Sequence, residues 1–341
     1  MKINHNYFAL NTTAKNLIYF VRQGHIWAHI KDRIKWHIYP RFYIVPDFPT
    51  HLEVEVSSMC QLRCPMCKST HMREVGISFS QHMDLVLYYK IIKEAVREKV
   101  YSIKFSWRGE PLLHPNIAHM VWYAKRSGIK DVAFLTNGHA LNTKMAGALV
   151  NAGLDWISIS FDGFKEDYDK IRYPAKFEDT FAKVQFLRKY RDSKEIKKPQ
   201  IRVQSIWSVI RGRETEFLKL WEGVADKVYF IPDQVRTLDE EDYKHDLSYI
   251  CPNPWQRICI AANGNVVQCI TDYTESVVLG NVNEQSIKEI WHGEKMNEFR
   301  RLMRSGRRLE NKPCRLCGTG NEMVEEDINV EGRKMHVARY K

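Results

Sequence analysis

The 341-residue sequence contains no run of about 18 uncharged apolar residues, the length a helix needs to cross a bilayer. Residues 1–16 lack the apolar stretch of a secretory signal, which predicts a cytoplasmic location. Internal repeats and low-complexity tracts are absent too, so nothing suggests a repeat array or a biased linker. Acidic residues are scarce at one end. Residues 1–45 hold seven Lys or Arg against the single Asp32, more than half of the chain's net charge of +11. A positive excess suits nucleic acid, an anionic membrane, a phosphorylated substrate or an acidic protein. The rest of the chain is much closer to balance.

The hydrophobic content of 44% supports a buried core, and the length allows one large domain with a smaller one. Eight cysteines fall into two clusters. Without an export signal they point to metal ligation more than to disulfides.

From Leu52 to Ile231, short β-branched or aromatic runs alternate with helical stretches. Strands are expected at 52–57, 101–106, 131–136, 156–161, 201–206 and 227–231. Helices are expected at 84–98, 117–127, 143–152, 178–191 and 213–224, with Gly128 and Gly153 as stops. Six βα units predict an α/β fold, a partial (β/α)6 TIM-like barrel with its chemistry beyond the carboxyl ends of the strands. A polar run begins near Asp233, cysteines return at Cys251, and 257–269 reads as a hairpin turning at Asn263-Gly264. Residues 287–306 read as one helical segment. The resulting division is a basic amphipathic extension at 1–48, the barrel at 49–235, a small cysteine-bearing domain at 236–325 and a tail at 326–341.

Cys60, Cys64 and Cys67 form CxxxCxxC directly after the first strand, on a loop short enough to aim three thiolates at one cubic cluster. A zinc site is the competing reading. Three-cysteine zinc sites normally recruit a His or another Cys nearby, and only His71 offers itself. The stretch VEVSSMCQLRCPMC, residues 54–67, resembles the opening of the radical S-adenosylmethionine (SAM) superfamily, and the resemblance continues over roughly residues 50–320. It implies a 4Fe-4S cluster whose open iron is chelated by the amino and carboxylate groups of SAM. Electron transfer into the sulfonium then yields a deoxyadenosyl radical that abstracts hydrogen.

SWRGEP, residues 106–111, is similar to the family's GGEP motif, whose Gly and Glu contact the SAM amino group. Gly109 and Glu110 match, while Arg108 stands where the first Gly is expected. A turn with a solvated Glu is the plainer reading of GEP. Thr136-Asn137-Gly138 is similar to the family's TNG segment, and Ser160 and Asp162 end the fourth strand as in relatives, although both are also ordinary turn sequences. Arg172 resembles the arginine that pairs with the SAM carboxylate, with a surface salt bridge as its alternative. Gln204 or Ser205 would reach the SAM ribose, or serve the strand structurally.

Cys251, Cys269, Cys314 and Cys317 are spaced so that four ligands could converge, as in a zinc ribbon or an iron-sulfur site. CPNPW, NGNVVQC, LGNVNEQSIKEIW and CRLC together resemble the C-terminal SPASM/twitch extension of radical SAM enzymes. Four cysteines imply the shorter, twitch-like form with one auxiliary 4Fe-4S cluster. Cys259 is left over on a hairpin strand, as a small buried hydrophobe or as a hydrogen donor to a substrate radical.

Ile26, Ile30, Ile34 and Ile38 recur at i+4 beside Lys31, Arg33 and Lys35, so residues 25–38 read as a basic amphipathic helix. Such a helix could touch an anionic membrane, face an anionic substrate or pack over the barrel. Arg300, Arg301, Arg304, Arg307 and Arg308 form a second basic run that suits a flavodoxin-like or ferredoxin-like electron donor, a substrate phosphate or plain solvent. The expected function is radical hydrogen abstraction from a small polar, carbohydrate-like molecule, ending in dehydrogenation, epimerisation or decarboxylation. A peptide maturase is the alternative, and a non-catalytic zinc or iron-sulfur protein binding nucleic acid is the alternative of another class. No nucleic-acid partner is expected.

Overall fold

The computed structural model describes residues 8–9, 25–231, 243–330 and 333–340. The strands are β1 (Phe8–Ala9), β2 (His51–Val54), β3 (Ser102–Phe105), β4 (Asp131–Thr136), β5 (Trp156–Ser160), β6 (Gln200–Ile206) and β7 (Lys227–Ile231). They continue with β8 (Arg257–Ile260), β9 (Asn265–Val267), β10 (Val278–Asn281), β11 (Met323–Val330) and β12 (Arg333–Tyr340). Strands β2 to β7 pair in parallel in chain order. Because crossovers between parallel neighbours are right-handed as a rule, that order puts every connecting helix on the same face, as in the expected partial barrel.

The connecting helices are Leu85–Arg97, Ile117–Ser127, Thr143–Ala152, Phe177–Ser193 and Glu214–Trp221. Local chemistry sets their ends. Asp84 accepts from the Val86 and Leu87 amides, Asn142 accepts from the Met145 amide, and Gly128 and Gly153 end their helices at φ +112° and +82°. Val54, Phe105, Phe134, Ile157 and Ile201 occupy one row across the sheet and are fully buried beneath those helices.

The opposite face is polar. Glu53, Lys104 and Ala133 share one row, and Ser158, Arg202 and Lys227 share another. Ser160, Gln204 and Tyr229 form the row nearest the carboxyl ends. A closed hydrocarbon core would demand apolar residues on both faces of a parallel sheet. This alternation leaves the inner face suited to water or a polar ligand.

The predicted hairpin forms from β8 and β9, but β8 also lies parallel to β2 in the barrel sheet. Its pairing covers the edge that β2 would otherwise expose, so the second cysteine unit continues the same sheet. The helical segment expected at 287–306 breaks at the extended Gly293 into Ile287–His292 and Glu294–Arg304. Where a tail was expected at 326–341, β11 and β12 make an antiparallel hairpin. Its many charged residues hid the strand period.

The second basic run is mostly structural. Arg300 is buried, lies over Trp291 and donates to the Pro254 and Trp291 carbonyls, while Arg308 is buried and donates to Gly320 and Asp246 carbonyls. Arg301 pairs with Glu294 and Glu298, and Arg307 with Glu310. Among the described residues, no helix is long and apolar enough to cross a membrane.

Candidate functional site

The loop after β2 carries Cys60, Cys64 and Cys67 to the carboxyl end of the sheet, where Cys67 immediately precedes the short helix Lys68–Glu74. The Cys67 amide donates to the Cys64 carbonyl at 3.0 Å, and the Arg63 amide donates to the Tyr173 carbonyl at 2.8 Å. Asn137 Nδ2 points at Cys60 Sγ from 3.7 Å, and Arg172 Nη1 points at Cys64 Sγ from 3.8 Å. Burial pushes the Cys60 thiol up to about 12 and raises that of Cys64, which the Arg172 guanidinium opposes. Metal binding at such thiols must displace their protons. Among the described residues, no three His, Cys, Asp or Glu side chains close on a single ion. Three thiolates on one short loop suit a cubic cluster, and the two donors aimed at sulfur would steady its negative charge.

Gly109 fixes this loop. A Cβ at Gly109 would lie 2.1 Å from the Ser57 carbonyl oxygen and 2.7 Å from that of Met59, both backbone atoms. The Glu110 amide donates to the same Met59 carbonyl at 2.7 Å. Glu110 is buried and ties β3 to β4. One oxygen accepts from the Leu112 amide and Thr136 Oγ1, and the other from the Asn137 amide at 2.7 Å. Burial raises its pKa, against the pull of those three donors.

Arg172 is paired with buried Asp162, whose second oxygen accepts from the Ile206 amide at 2.7 Å. Glu110, Asn137 and, through Asp162, Arg172 are therefore assembled around the cysteine loop. Gln204 Nε2 donates to Ser160 Oγ at 3.2 Å on the inner face, whereas Ser205 is fully buried and bonds to the backbone of Gly163 and Ile206. Of the two, Gln204 is the one on the inner face.

The four later cysteines also converge. Burial raises the Cys251 thiol to about 12, with Cys269 and Cys317 adding repulsion. Burial also raises Cys269 and Cys314, and each feels Cys317 as well. Thr271 directs its amide at Cys269 Sγ and its hydroxyl at Cys317 Sγ, and Asn311 Nδ2 lies 3.0 Å from Cys314 Sγ. Gln268, next to Cys269, is 1% exposed, and among the described residues neither its amide nitrogen nor its oxygen finds a partner. Buried amides are rarely left so, and a cluster sulfide would give the nitrogen an acceptor.

Several residues between the two cysteine sets escaped the sequence reading. Arg108 is buried and donates from Nε and Nη2 to Glu55 at 2.7 and 2.5 Å, pairs with Glu275 at 2.8 Å, and reaches the Tyr273 carbonyl. Trp107 holds φ +135° and donates from Nε1 to the Ile270 carbonyl at 2.7 Å. Lys68, directly after Cys67, donates to the Leu316 carbonyl between Cys314 and Cys317. The signal was the departure from GGEP at Arg108, which marks a docking residue. On the inner face, Glu53 gathers Lys104 at 2.8 Å, Arg257 at 3.1 Å and Ser106 at 2.6 Å. Burial alone would raise Glu53, but Lys104, His51 and Arg257 hold it well below the carboxylate range. The polar residues at every second strand position were its sequence signal.

Cys259 lies in register with Glu53 and is 1% exposed. Burial, with Glu53 and Glu55 nearby, keeps its thiol well above the usual range, so it holds its proton.

Gly109→Ala must displace the cysteine loop, because backbone cannot yield as a flexible side chain does. The expected outcome is loss of about half of the bound iron, with the Cys251 set still loaded, read by iron analysis and electron paramagnetic resonance. Full iron content with unchanged SAM affinity would contradict this packing.

Residues 54–196 match the Radical SAM superfamily model, and residues 251–318 match SPASM, described as an iron-sulfur cluster-binding domain. The chain is 25% identical over 291 residues to the S-adenosyl-L-methionine-dependent 2-deoxy-scyllo-inosamine dehydrogenase of Niallia circulans, covering 82% of this chain and 96% of that protein. It is 26% identical over 334 residues to the tungsten-containing aldehyde ferredoxin oxidoreductase cofactor-modifying protein of Pyrococcus furiosus, covering 83% and 92%. A 36% identical stretch of 130 residues matches the GTP 3′,8-cyclase of Chlorobaculum tepidum, over 38% of each chain. The crystal structure of BtrN in complex with AdoMet and 2-DOIA superposes with a TM-score of 0.56 at 22% identity, covering 79% of this chain and 93% of that one. Native anSMEcpe with bound AdoMet and Cp18Cys peptide gives 0.57 at 17% identity, covering 80% and 88%. At these identities the likeness is one of fold. With both domain matches falling on the two cysteine sets, together across more than half of the chain, this protein belongs to the radical SAM superfamily and is a radical SAM enzyme with a C-terminal SPASM domain.

Proposed function

We propose that this enzyme abstracts hydrogen from a small polar, carbohydrate-like substrate and completes a dehydrogenation. The carrying observation is the polar inner face, where Glu53, Lys104, Ser158 and Tyr229 stand beside the Gln204–Ser160 pair. These groups suit hydroxyls and amines better than an apolar side chain. Similarity across nearly the whole length of a 2-deoxy-scyllo-inosamine dehydrogenase supports the same substrate class.

When bound, a cluster on Cys60, Cys64 and Cys67 with SAM supplies a 5′-deoxyadenosyl radical, and a cluster on Cys251, Cys269, Cys314 and Cys317 supplies an electron acceptor. The protein's own groups do the rest. Asn137 and Arg172 donate toward the first thiols, and Asp162 fixes the Arg172 fork in place. Glu110 keeps acceptor capacity on the oxygen that meets Asn137, which suits the SAM ammonium. Gln204 and Ser160 form a pair suited to the SAM ribose. The starting electron would come from a flavodoxin-like or ferredoxin-like protein, an acidic partner for a chain of net charge +11.

The reading is tested by incubating the anaerobically reconstituted enzyme with SAM and aminocyclitols or sugars deuterated at each carbinol carbon. Deuterium should enter 5′-deoxyadenosine from one position, with a ketone as product. Label transferred only from peptide substrates would contradict it.

Cys259 bears on the competing epimerisation, which needs a hydrogen atom returned to the substrate radical. A thiol that keeps its proton could give one, but burial at 1% exposure favours a structural role. Cys259→Ala should therefore turn over within about twofold of the unmodified enzyme. A folded variant with both clusters, normal SAM cleavage and no product would favour epimerisation.

A further inference from the structure

The helix Ile26–Ile38 presents the wrong face to solvent. Surface helices of water-soluble proteins turn their apolar stripe to the core. Here polar and aromatic groups face the body. His29 Nδ1 lies 3.2 Å from the Tyr101 hydroxyl, Asp32 is 5% exposed, and Trp36 meets His51 edge-on while its carbonyl accepts from Gln256 Nε2 at 2.7 Å. The opposite stripe, Trp27, Ile30, Ile34 and Ile38, stands in water, with Trp27 74% and Ile34 49% exposed. Phe42 at 69% and Ile44 at 45% continue the apolar row through the following turn.

Charge says what covers this row. Lys31, Lys35 and Arg41 are exposed beside it. The only acid of the segment, Asp32, is buried on the far side and paired with Arg33. We propose that this helix seats the enzyme on an anionic lipid surface, with the apolar row at the boundary of headgroups and acyl chains and the cations on lipid phosphates. An exposed Trp suits that boundary, and each nearby Lys or Arg adds attraction to an anionic leaflet. A second copy of the chain fits poorly, because a two-fold contact through the row would bring both sets of cations together. The inference is independent of the substrate.

The test is co-sedimentation of the full-length, reconstituted enzyme with vesicles of phosphatidylcholine alone or mixed with phosphatidylglycerol. Binding should be about tenfold or more tighter to the mixed vesicles and should weaken with salt. Trp27→Ser with Ile34→Ser should abolish binding, and Lys31→Glu with Lys35→Glu should remove the preference for anionic lipid. Unchanged iron content and circular dichroism would show that both variants fold. The proposal fails if the enzyme pellets with neither vesicle, or if the serine variant binds as the unmodified enzyme does. It fails equally if light scattering shows a dimer that the serine variant converts to monomer, since the row would then be a protein interface.

Discussion

The arrangement depends on a buried cation between two carboxylates. Arg108 meets Glu55, which continues β2, and Glu275, which belongs to the second cysteine unit. All three are nearly inaccessible, with side-chain exposures of 3%, 1% and 7%. Removing one partner of such a set costs about 3–5 kcal/mol, because it strands an uncompensated buried charge. Its value here is geometric. The fork fixes the loop holding Cys60, Cys64 and Cys67 relative to the loop after Cys269. Trp107, held at an uncommon positive φ, and Lys68, bonded between the last two cysteines, add two further ties across the same seam.

This seam explains why the second unit is not a detachable appendage. β8 pairs with β2, so the strand that launches the first cysteine loop is hydrogen-bonded to the strand leading toward Cys269. Glu53 and Glu55 sit on the polar side of this junction. One draws Lys104 and Arg257 together and the other receives Arg108. The inner face can be this polar because its charges neutralise one another near the junction, while Ser160, Gln204 and Tyr229 remain at the carboxyl end.

Much of this was legible in the sequence. Strand positions such as 131–136 and helix positions such as 117–127 and 143–152 follow from strong period and clear stops, and the structure places them there. The candidate residues Gly109, Glu110 and Asn137 converge because each follows a strand end, whereas Arg172, at the end of the short helix Lys165–Ile171, is brought in by its pairing with Asp162. What escaped depends on contacts between distant segments. The pairing of β8 with β2, the inward turn of Arg300 and Arg308, and the body-facing Asp32 have no local signal. Gly109 looked like a ligand-contacting residue, yet the tightest demand on it is close approach by the cysteine loop's own backbone. The β11–β12 hairpin was obscured by charged residues, which weaken the strand pattern.

We propose that Cys60, Cys64 and Cys67 carry the cluster at which SAM is cleaved, while Cys251, Cys269, Cys314 and Cys317 carry another. The most direct measurement changes Cys60, Cys64 and Cys67 together to Ala and follows iron content and 5′-deoxyadenosine formation after anaerobic reconstitution. The account predicts about eight irons in the unmodified chain and about four in the variant, with SAM cleavage abolished. A variant that still forms 5′-deoxyadenosine would contradict it.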